Sequence, residues 1–208
     1  MRYHKFLFSI QDAVTVTKTV STTITITVAT ASVAFHVILC KRHMFPLFQG
    51  ACGTGMITKY VAPRCKELIA TDFSTGMLKQ AKKNCKDFQN VKLRKANIME
   101  LKCKDEAFDK VIAGNVIHLL DEPYEALAEL YRVCKKGGQI IIPTYINNEN
   151  KGKPSFLVTA LEKFGAGFKC QFDLENYKLF FEKAGYTDVN YKVVSGKMPC
   201  AIAIIIKE

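Results

Sequence analysis

The chain has 208 residues, of which 49% are hydrophobic and 24% charged, and its formal net charge is +11 at pH 7. This mixture is typical of a one-domain globular protein and excludes collagen, coiled coils and low-complexity linkers. The excess of Lys and Arg would attract nucleic acid, an anionic membrane or an acidic small molecule, and therefore selects none of them. The eight cysteines include no Cys-x-x-Cys pair, so a zinc ribbon or a redox pair has no support. Their even number would allow disulfides, but a chain of 208 residues does not need them, which favours reduced thiols in the cytosol.

Residues 1–47 differ in composition from the rest of the chain. No acidic residue occurs between Asp12 and Glu67, and residues 14–28 are rich in Thr and β-branched side chains. Thr and Ser interrupt the apolar positions too often for a membrane span, which needs about 20 predominantly apolar residues. A targeting peptide would share this acid-poor composition, but we expect a poorly ordered leader followed by one domain over residues 48–208.

From residue 48 onward, short apolar runs alternate with segments of helical spacing. The apolar runs predict strands around residues 48–50, 68–70, 91–93, 108–113, 139–143, 189–194 and 201–206. Helices are predicted after Gly55 and after three N-cap residues, Ser74, Asp121 and Asp173. The helix after Asp121 is expected to have Pro123 in its first turn and to end at Gly137-Gly138. This alternation predicts an α/β fold with a doubly wound, mostly parallel seven-stranded sheet and a C-terminal antiparallel hairpin.

A candidate binding site follows from this fold, because ligands lie beyond the carboxyl ends of such strands, where strand order reverses. Gly53 and Gly55 remove side chains where a ligand approaches the backbone. Asp72, nineteen residues after Gly53, ends the second strand and can accept hydrogen bonds from ribose hydroxyls. Asn97 can address an adenine edge, and the thioether of Met77 can pack on a purine face. Together they predict a nucleoside-type ligand, although each also has a structural interpretation as a turn, helix-cap or core residue.

Four segments carry a resemblance to a known family: residues 50–56 (GACGTGM), 70–78 (ATDFSTGML), 108–120 (FDKVIAGNVIHLL) and 136–143 (KGGQIIIP). Over residues 48–208 the sequence resembles class I S-adenosylmethionine-dependent methyltransferases, in the small-molecule branch of the menaquinone and ubiquinone biosynthesis enzymes. The resemblance implies a Rossmann-like fold, S-adenosylmethionine as cofactor, no metal, and in-line transfer of a methyl group to a small-molecule acceptor. It adds to the predicted cofactor-binding residues Gln49, Ala51, Cys52, Phe73, Ile98 and Asn115.

The chain departs from this family at the first strand. The family ends that strand with an acidic residue that meets the methionine ammonium of the cofactor, and here the position is Gln49. Pro46 is expected to interrupt the ladder of a central strand, because proline has no N–H. We therefore expect residues 1–47 to differ from the family's usual N-terminal segment and the affinity for the cofactor to be impaired.

Two residues are candidates for work on the acceptor. His118, just after the fourth strand, is a candidate general base because imidazole titrates near neutral pH, although it can equally be an ordinary polar residue at the start of a helix. Tyr145, just after the fifth strand, either lines the acceptor pocket or packs in the core. The long irregular segment 146–170 is expected to act as a lid or to determine acceptor specificity.

Other functions remain as alternatives. An RNA-directed methyltransferase or RNA-binding protein is suggested by the basic residues Lys79, Lys82, Lys83, Lys86, Lys92, Arg94 and Lys95. Aromatic residues that would stack bases are not interleaved with them, and the motifs of base methyltransferases are absent, so nucleic acid is not the expected partner. A nicotinamide oxidoreductase would need a third glycine where Thr58 stands. A cofactor-binding relic without activity is a further alternative, because of Gln49.

Overall fold

The structure is a computed structural model that describes residues 45–147, 172–195 and 199–208. The predicted leader lies outside the described residues except for positions 45–47. The predicted lid segment lies outside them except for Ile146 and Asn147.

Seven strands and four α-helices make up the described part of the chain. The strands are β1 (Pro46–Gly50), β2 (Glu67–Asp72), β3 (Val91–Lys95), β4 (Phe108–Ala113), β5 (Cys134–Tyr145), β6 (Val189–Val194) and β7 (Cys200–Ile206). The α-helices are α1 (Met56–Val61), α2 (Thr75–Asn84), α3 (Pro123–Val133) and α4 (Leu174–Lys183). Short 3₁₀ turns cover Ala62–Arg64 and Ile117–Leu119. None of the described helices is long and apolar enough to span a bilayer.

The strands form one sheet in the order β3-β2-β1-β4-β5-β7-β6. The first five strands of the chain pair in parallel, and β7 runs antiparallel to both β5 and β6. This confirms the predicted doubly wound sheet with its antiparallel C-terminal pair. The chain winds outward from β1 first toward β3 and then toward β6, so the strand order reverses between β1 and β4.

Helices cover both faces of the sheet, which explains why its central strands are apolar at nearly every position. Phe48 and Val111 face a core that includes residues of α3 and α4, whereas Leu47 and Ile112 face a second core that includes residues of α1 and α2. Consecutive residues of a strand thus enter opposite cores, as the two-residue period of a strand requires.

Two predictions about helix ends are wrong, and both concern α3. The residue before Pro123 is Glu122, whose side chain makes no capping hydrogen bond, so Asp121 is not the N-cap. The helix ends at Val133 and not at the glycine pair, because Gly137 and Gly138 lie inside β5. There Gly137 N donates to the Lys207 carbonyl, and Lys207 N donates to the Gly138 carbonyl. The glycines therefore form an irregularity between paired strands.

Pro46 does not interrupt β1, because it is the first residue of that strand. A missing N–H is tolerated at the first position of a strand. The register is continuous from Pro46 opposite Glu67 to Gln49 opposite Ala70.

Candidate functional site

The loop between β1 and α1, residues 51–55, lies at the carboxyl end of the central strand. Cys52 N donates to the Thr71 carbonyl at 2.8 Å, and Gly55 N donates to the Cys52 carbonyl at 3.0 Å, which closes a tight turn. Gly53 and Gly55 have φ angles of 56° and 82°. A Cβ added at Gly53 would meet no atom within 4 Å, whereas one added at Gly55 would lie 2.9 Å from Cys85 Sγ. The loop is therefore open at Gly53 and packed against the end of α2 at Gly55.

Asp72 holds this loop against the end of β2. Its Oδ2 accepts a hydrogen bond from Gly53 N at 2.8 Å, and its Oδ1 accepts one from Ser74 N at 2.8 Å. The side chain is only 2% exposed. The structure thus brings Asp72 and Gly53 together, as the sequence predicts. Because they are directly hydrogen-bonded, a ligand can lie over this pair but not between its two members.

Gln49, the penultimate residue of β1, lies in a buried and polar but uncharged environment. It is 1% exposed, and its Oε1 accepts a hydrogen bond from Thr58 Oγ1 at 2.8 Å. Thr71 Oγ1 donates to the Gln49 carbonyl at 3.4 Å. Sequence reasoning missed Thr58. The sequence pattern that could have identified it is a polar residue on the inward face of α1, next to Ile57 and Val61.

Ala51 has a φ angle of 50°, in the left-handed region that favours glycine. The resulting clash of Cβ with the following carbonyl costs about 1–2 kcal/mol for an L-residue other than glycine. Cys52, the next residue, is buried, and its burial raises the pKa of the thiol. Cys52 is therefore a neutral thiol in this loop.

Two candidate residues after β2 differ in exposure: the ring of Phe73 is exposed, and the thioether of Met77 is buried. Phe73 is 58% exposed, and Lys95 Nζ lies 5.7 Å from the centre of its ring. Ser74 caps α2 by accepting from Met77 N at 3.2 Å. The Met77 side chain is 3% exposed and belongs to the core. The ring of Phe73 is thus accessible to a ligand, and the side chain of Met77 is almost fully covered.

Asn97 and Ile98 follow β3. Asn97 Oδ1 accepts from Met99 N at 3.1 Å, so its amide oxygen stabilises a turn. Ile98 is buried against the end of β1, since a Cβ added at Gly50 would lie 2.8 Å from Ile98 Cδ1. The structure thus places Ile98 against Gly50 at the end of β1, whereas the interactions of Asn97 lie within its own turn.

The ends of β4 and β5 are joined by Asn115. Its N donates to the Pro143 carbonyl at 2.8 Å, and its Oδ1 accepts from Tyr145 N at 3.2 Å. Burial raises the pKa of Tyr145 to about 12, so the phenol stays protonated near neutral pH.

His118 lies in the 3₁₀ turn that follows β4, is 8% exposed, and has its pKa lowered to about 4 by burial. It is therefore a neutral imidazole at pH 7 and a weaker base than its residue type predicts.

Most of the predicted residues thus lie at or after the carboxyl ends of β1, β2, β4 and β5, at the edge where the strand order reverses, and Asn97 and Ile98 follow β3. Among the residues that the structure describes, no group of three or more His, Cys, Asp or Glu side chains could hold a metal ion.

Comparison with known proteins identifies the family. Residues 48–142 match the model of the methyltransferase domain family. The demethylmenaquinone methyltransferase of Lactiplantibacillus plantarum is 30% identical over 165 residues, which are 68% of this chain and 70% of the relative. A phosphatidylethanolamine N-methyltransferase of Cereibacter sphaeroides is 32% identical over 115 residues, 54% of this chain and 56% of the relative.

A solved structure shows the same fold. The SAM-dependent methyltransferase of Aquifex aeolicus superposes with a TM-score of 0.63 at 20% identity, over 84% of this chain and 89% of that one. The chain belongs to the class I S-adenosylmethionine-dependent methyltransferases, in the branch that transfers a methyl group to small molecules.

Proposed function

We propose that this protein methylates a ring carbon of a lipid-soluble aromatic diol, of the kind that results from reduction of demethylmenaquinone. The demethylmenaquinone methyltransferase of Lactiplantibacillus plantarum, which is similar over two thirds of both chains, supports this acceptor class. The observation that carries the cofactor site of this proposal is the Asp72 carboxylate, hydrogen-bonded to Gly53 N and Ser74 N at the edge where the strand order reverses.

The residues at this edge fit S-adenosylmethionine. A Cβ at Gly53 would meet nothing within 4 Å, so the backbone there is open to close approach. Phe73, the residue after Asp72, has an exposed ring. Asp72 would accept from the ribose hydroxyls, since one carboxylate can accept several hydrogen bonds. Phe73 and Ile98 would contact the adenine.

The methionine half of the cofactor would extend along the loop toward the end of β1. Ala51 and Cys52 would contribute backbone there, and Gln49 would face the amino-acid end with a neutral amide. S-adenosylmethionine, when bound, supplies an electrophilic methyl group on a sulfonium. What the protein must add is alignment of the acceptor carbon with that methyl group and exclusion of water.

The acceptor would lie beside the ends of β4 and β5. Asn115 and Tyr145 are linked there by the Tyr145 N to Asn115 Oδ1 hydrogen bond, which fixes their relative position. The protonated phenol of Tyr145 can hydrogen-bond a ring hydroxyl. His118, whose pKa is about 4, cannot deprotonate a phenol at neutral pH. It can accept the far more acidic proton that the ring carbon loses after it has gained the methyl group.

We also propose that the protein works in the cytoplasm. Cys52, Cys65, Cys85, Cys103, Cys134 and Cys200 are all free thiols in the described part of the chain. Persisting free thiols are characteristic of a reducing compartment.

Calorimetry with S-adenosylmethionine and S-adenosylhomocysteine tests the cofactor site. We expect Asp72→Asn to weaken both ligands at least tenfold, because hydrogen bonds to a charged group contribute about 1.5–3 kcal/mol. Since Asp72 also holds the loop, Phe73→Ala provides a second variant on an exposed residue, with Tyr124→Ala as the matched exposed aromatic control. Equal binding by Phe73→Ala and Tyr124→Ala, together with unchanged binding by Asp72→Asn, would refute the assignment.

The acceptor class is tested by a methyl-transfer assay with reduced prenylated naphthoquinone and with phosphatidylethanolamine. Methylation of the naphthoquinol on carbon is the expected result. Methylation of the ethanolamine nitrogen alone would replace the proposed acceptor while leaving the cofactor site intact.

A further inference from the structure

One face of the domain, formed by α1 and α2, concentrates the positive charge of the chain. Residues 56–95, which comprise α1, β2, α2, β3 and the segments between them, contain ten Lys and Arg against three Asp and Glu, a net charge of +7 in a chain whose total is +11. The lysines that point away from the sheet are Lys79, Lys82, Lys83 and Lys86, all exposed, and together with Met56 and Tyr60 we call them the basic face. Their spacing of three and four residues aligns them along one side of α2 and its end.

Within the described residues, no acidic side chain forms an ion pair with these lysines. The ion pairs found among the described residues include none of the four. Asp87 is the one acidic residue between positions 73 and 95. Two of the lysines, Lys82 and Lys83, lie in the last turn of α2, where cations favour the helix dipole. The helix dipole does not explain the presence of Lys79 and Lys86, which lie before and after that turn.

Exposed apolar side chains accompany these charges. Met56 and Tyr60 are each 41% exposed and lie one helical turn apart on α1, whose opposite side, with Thr58 and Val61, is buried. The two helices cover the same face of the sheet, and Asn84 Nδ2 donates to the Thr54 carbonyl at 2.8 Å between them. A face that combines lysines with an exposed tyrosine and methionine fits the headgroup region of an anionic membrane, where cations reach the lipid phosphates and apolar side chains enter the acyl boundary.

We propose that the basic face docks this protein on the surface of an anionic phospholipid bilayer. The inference rests on the proposed function, because a lipid-soluble acceptor resides in the bilayer and has to reach the site from there. The end of α2 touches the loop after β1, through Asn84 to Thr54 and through Cys85 Sγ against Gly55. Docking would therefore hold the cofactor loop close to the membrane surface.

A bilayer fits this face better than RNA does. Phosphodiester groups would pair with the lysines, but exposed Met56 offers nothing to a phosphate backbone, and the basic stripe of α2 contains no aromatic residue that could stack a base. The headgroup region accommodates both parts of the face, because lysine ammonium groups pair with lipid phosphates while apolar side chains enter the acyl boundary.

Vesicle flotation of the full-length protein tests the proposal. We expect binding to phosphatidylcholine vesicles that contain phosphatidylglycerol, no binding to pure phosphatidylcholine vesicles, and loss of binding in high salt. The combined variant Lys82→Gln, Lys83→Gln and Lys86→Gln should weaken binding on the order of 100-fold, since each cation near an anionic surface contributes about tenfold or less. The matched control, Lys136→Gln, Lys183→Gln and Lys192→Gln, removes the same charge from β5, α4 and β6 and should retain most of the binding.

Three results would overturn the proposal: equal binding to both kinds of vesicle, equal loss in the two triple variants, or tighter binding to single-stranded RNA than to the anionic vesicles. Calorimetry with S-adenosylmethionine in the absence of vesicles separates this proposal from the proposed function. A protein that binds the cofactor but not the vesicles would overturn membrane docking alone.

Discussion

Replacing Gln49 by glutamate introduces a charge at the position where the resemblance to class I methyltransferases implies an acidic residue. Gln49 is 1% exposed, and its Oε1 has Thr58 Oγ1 as hydrogen-bond donor. A carboxylate of the same shape would keep this bond and add a charged partner for the ammonium of S-adenosylmethionine. A charge-assisted hydrogen bond contributes about 1.5–3 kcal/mol, so we expect Gln49→Glu to tighten the cofactor about 10–100-fold.

The same substitution should destabilise the free protein, because it buries a carboxyl group among apolar residues. Burial raises the pKa of the introduced carboxyl, and the ammonium lowers it again on binding. Binding of S-adenosylmethionine by Gln49→Glu should therefore release protons, and its affinity should rise with pH until the carboxyl is ionised in the free variant. The wild-type protein should show no such release from this position, because an amide does not titrate.

Calorimetry in buffers of different ionisation enthalpy measures both the affinity and the proton release. 5′-Methylthioadenosine, which lacks the amino-acid half of the cofactor, is the matched ligand and should bind the two proteins equally. Thr58→Val is the companion variant, since it removes the hydroxyl that orients position 49 without adding charge. Equal affinity of wild type and Gln49→Glu for S-adenosylmethionine would refute the placement of the ammonium beside Gln49.

Three further substitutions test local features of the fold. Ala51→Gly should raise the free energy of unfolding by about 0.5–1 kcal/mol in urea titration, because relief of the positive φ outweighs the added freedom of the unfolded chain; a fall in stability would contradict this. The pKa of His118 is about 4 in the folded protein and about 6.5 in the unfolded chain. The free energy of unfolding should therefore fall by on the order of 3 kcal/mol as the pH falls from 6.5 toward 4. Urea titrations of wild type and His118→Gln at pH 7 and pH 4.5 should therefore show a smaller pH effect in the variant, and an equal effect would argue against the low pKa. Arg132→Lys should lower the free energy of unfolding by about 1–2 kcal/mol, because lysine cannot donate to Glu129, Asp105 and two backbone carbonyls at once. Thermal unfolding within error of wild type would show that this network contributes nothing.

Local patterns predicted most of the secondary structure because they depend on neighbouring residues. Ser74 and Asp173 cap helices as expected, accepting from Met77 N and Asn176 N. The glycine pair at 137–138 was misassigned because its role depends on a strand partner some seventy residues away, at Lys207. A sequence pattern that fits a helix end also fits an irregular strand, and only the distant partner decides between them.

In the candidate site, too, some features could be predicted from the sequence and others depend on tertiary packing. The pairing of Asp72 with the glycine loop was predictable, because the topology of a doubly wound sheet places those two strand ends side by side. The burial of Met77 was not, since a residue on the first turn of α2 faces either the ligand or the core according to how the helix is tilted. The lowered pKa of His118 arises from burial of a 3₁₀ turn, which no sequence pattern indicated.

The neutral end of β1 bears on whether this chain is an enzyme or a relic. The ammonium of S-adenosylmethionine lies away from the transferred methyl group, and its charge is the same before and after the reaction. A contact to it therefore stabilises the bound cofactor and the transition state equally, and its loss raises KM without lowering kcat. S-adenosylhomocysteine carries the same ammonium, so product inhibition should weaken in parallel. Gln49 thus predicts an active methyltransferase with a high KM for its cofactor. Gln49→Glu should lower the KM for S-adenosylmethionine and the inhibition constant of S-adenosylhomocysteine by the same factor at constant kcat, and a change in kcat would show that Gln49 acts on the reacting groups.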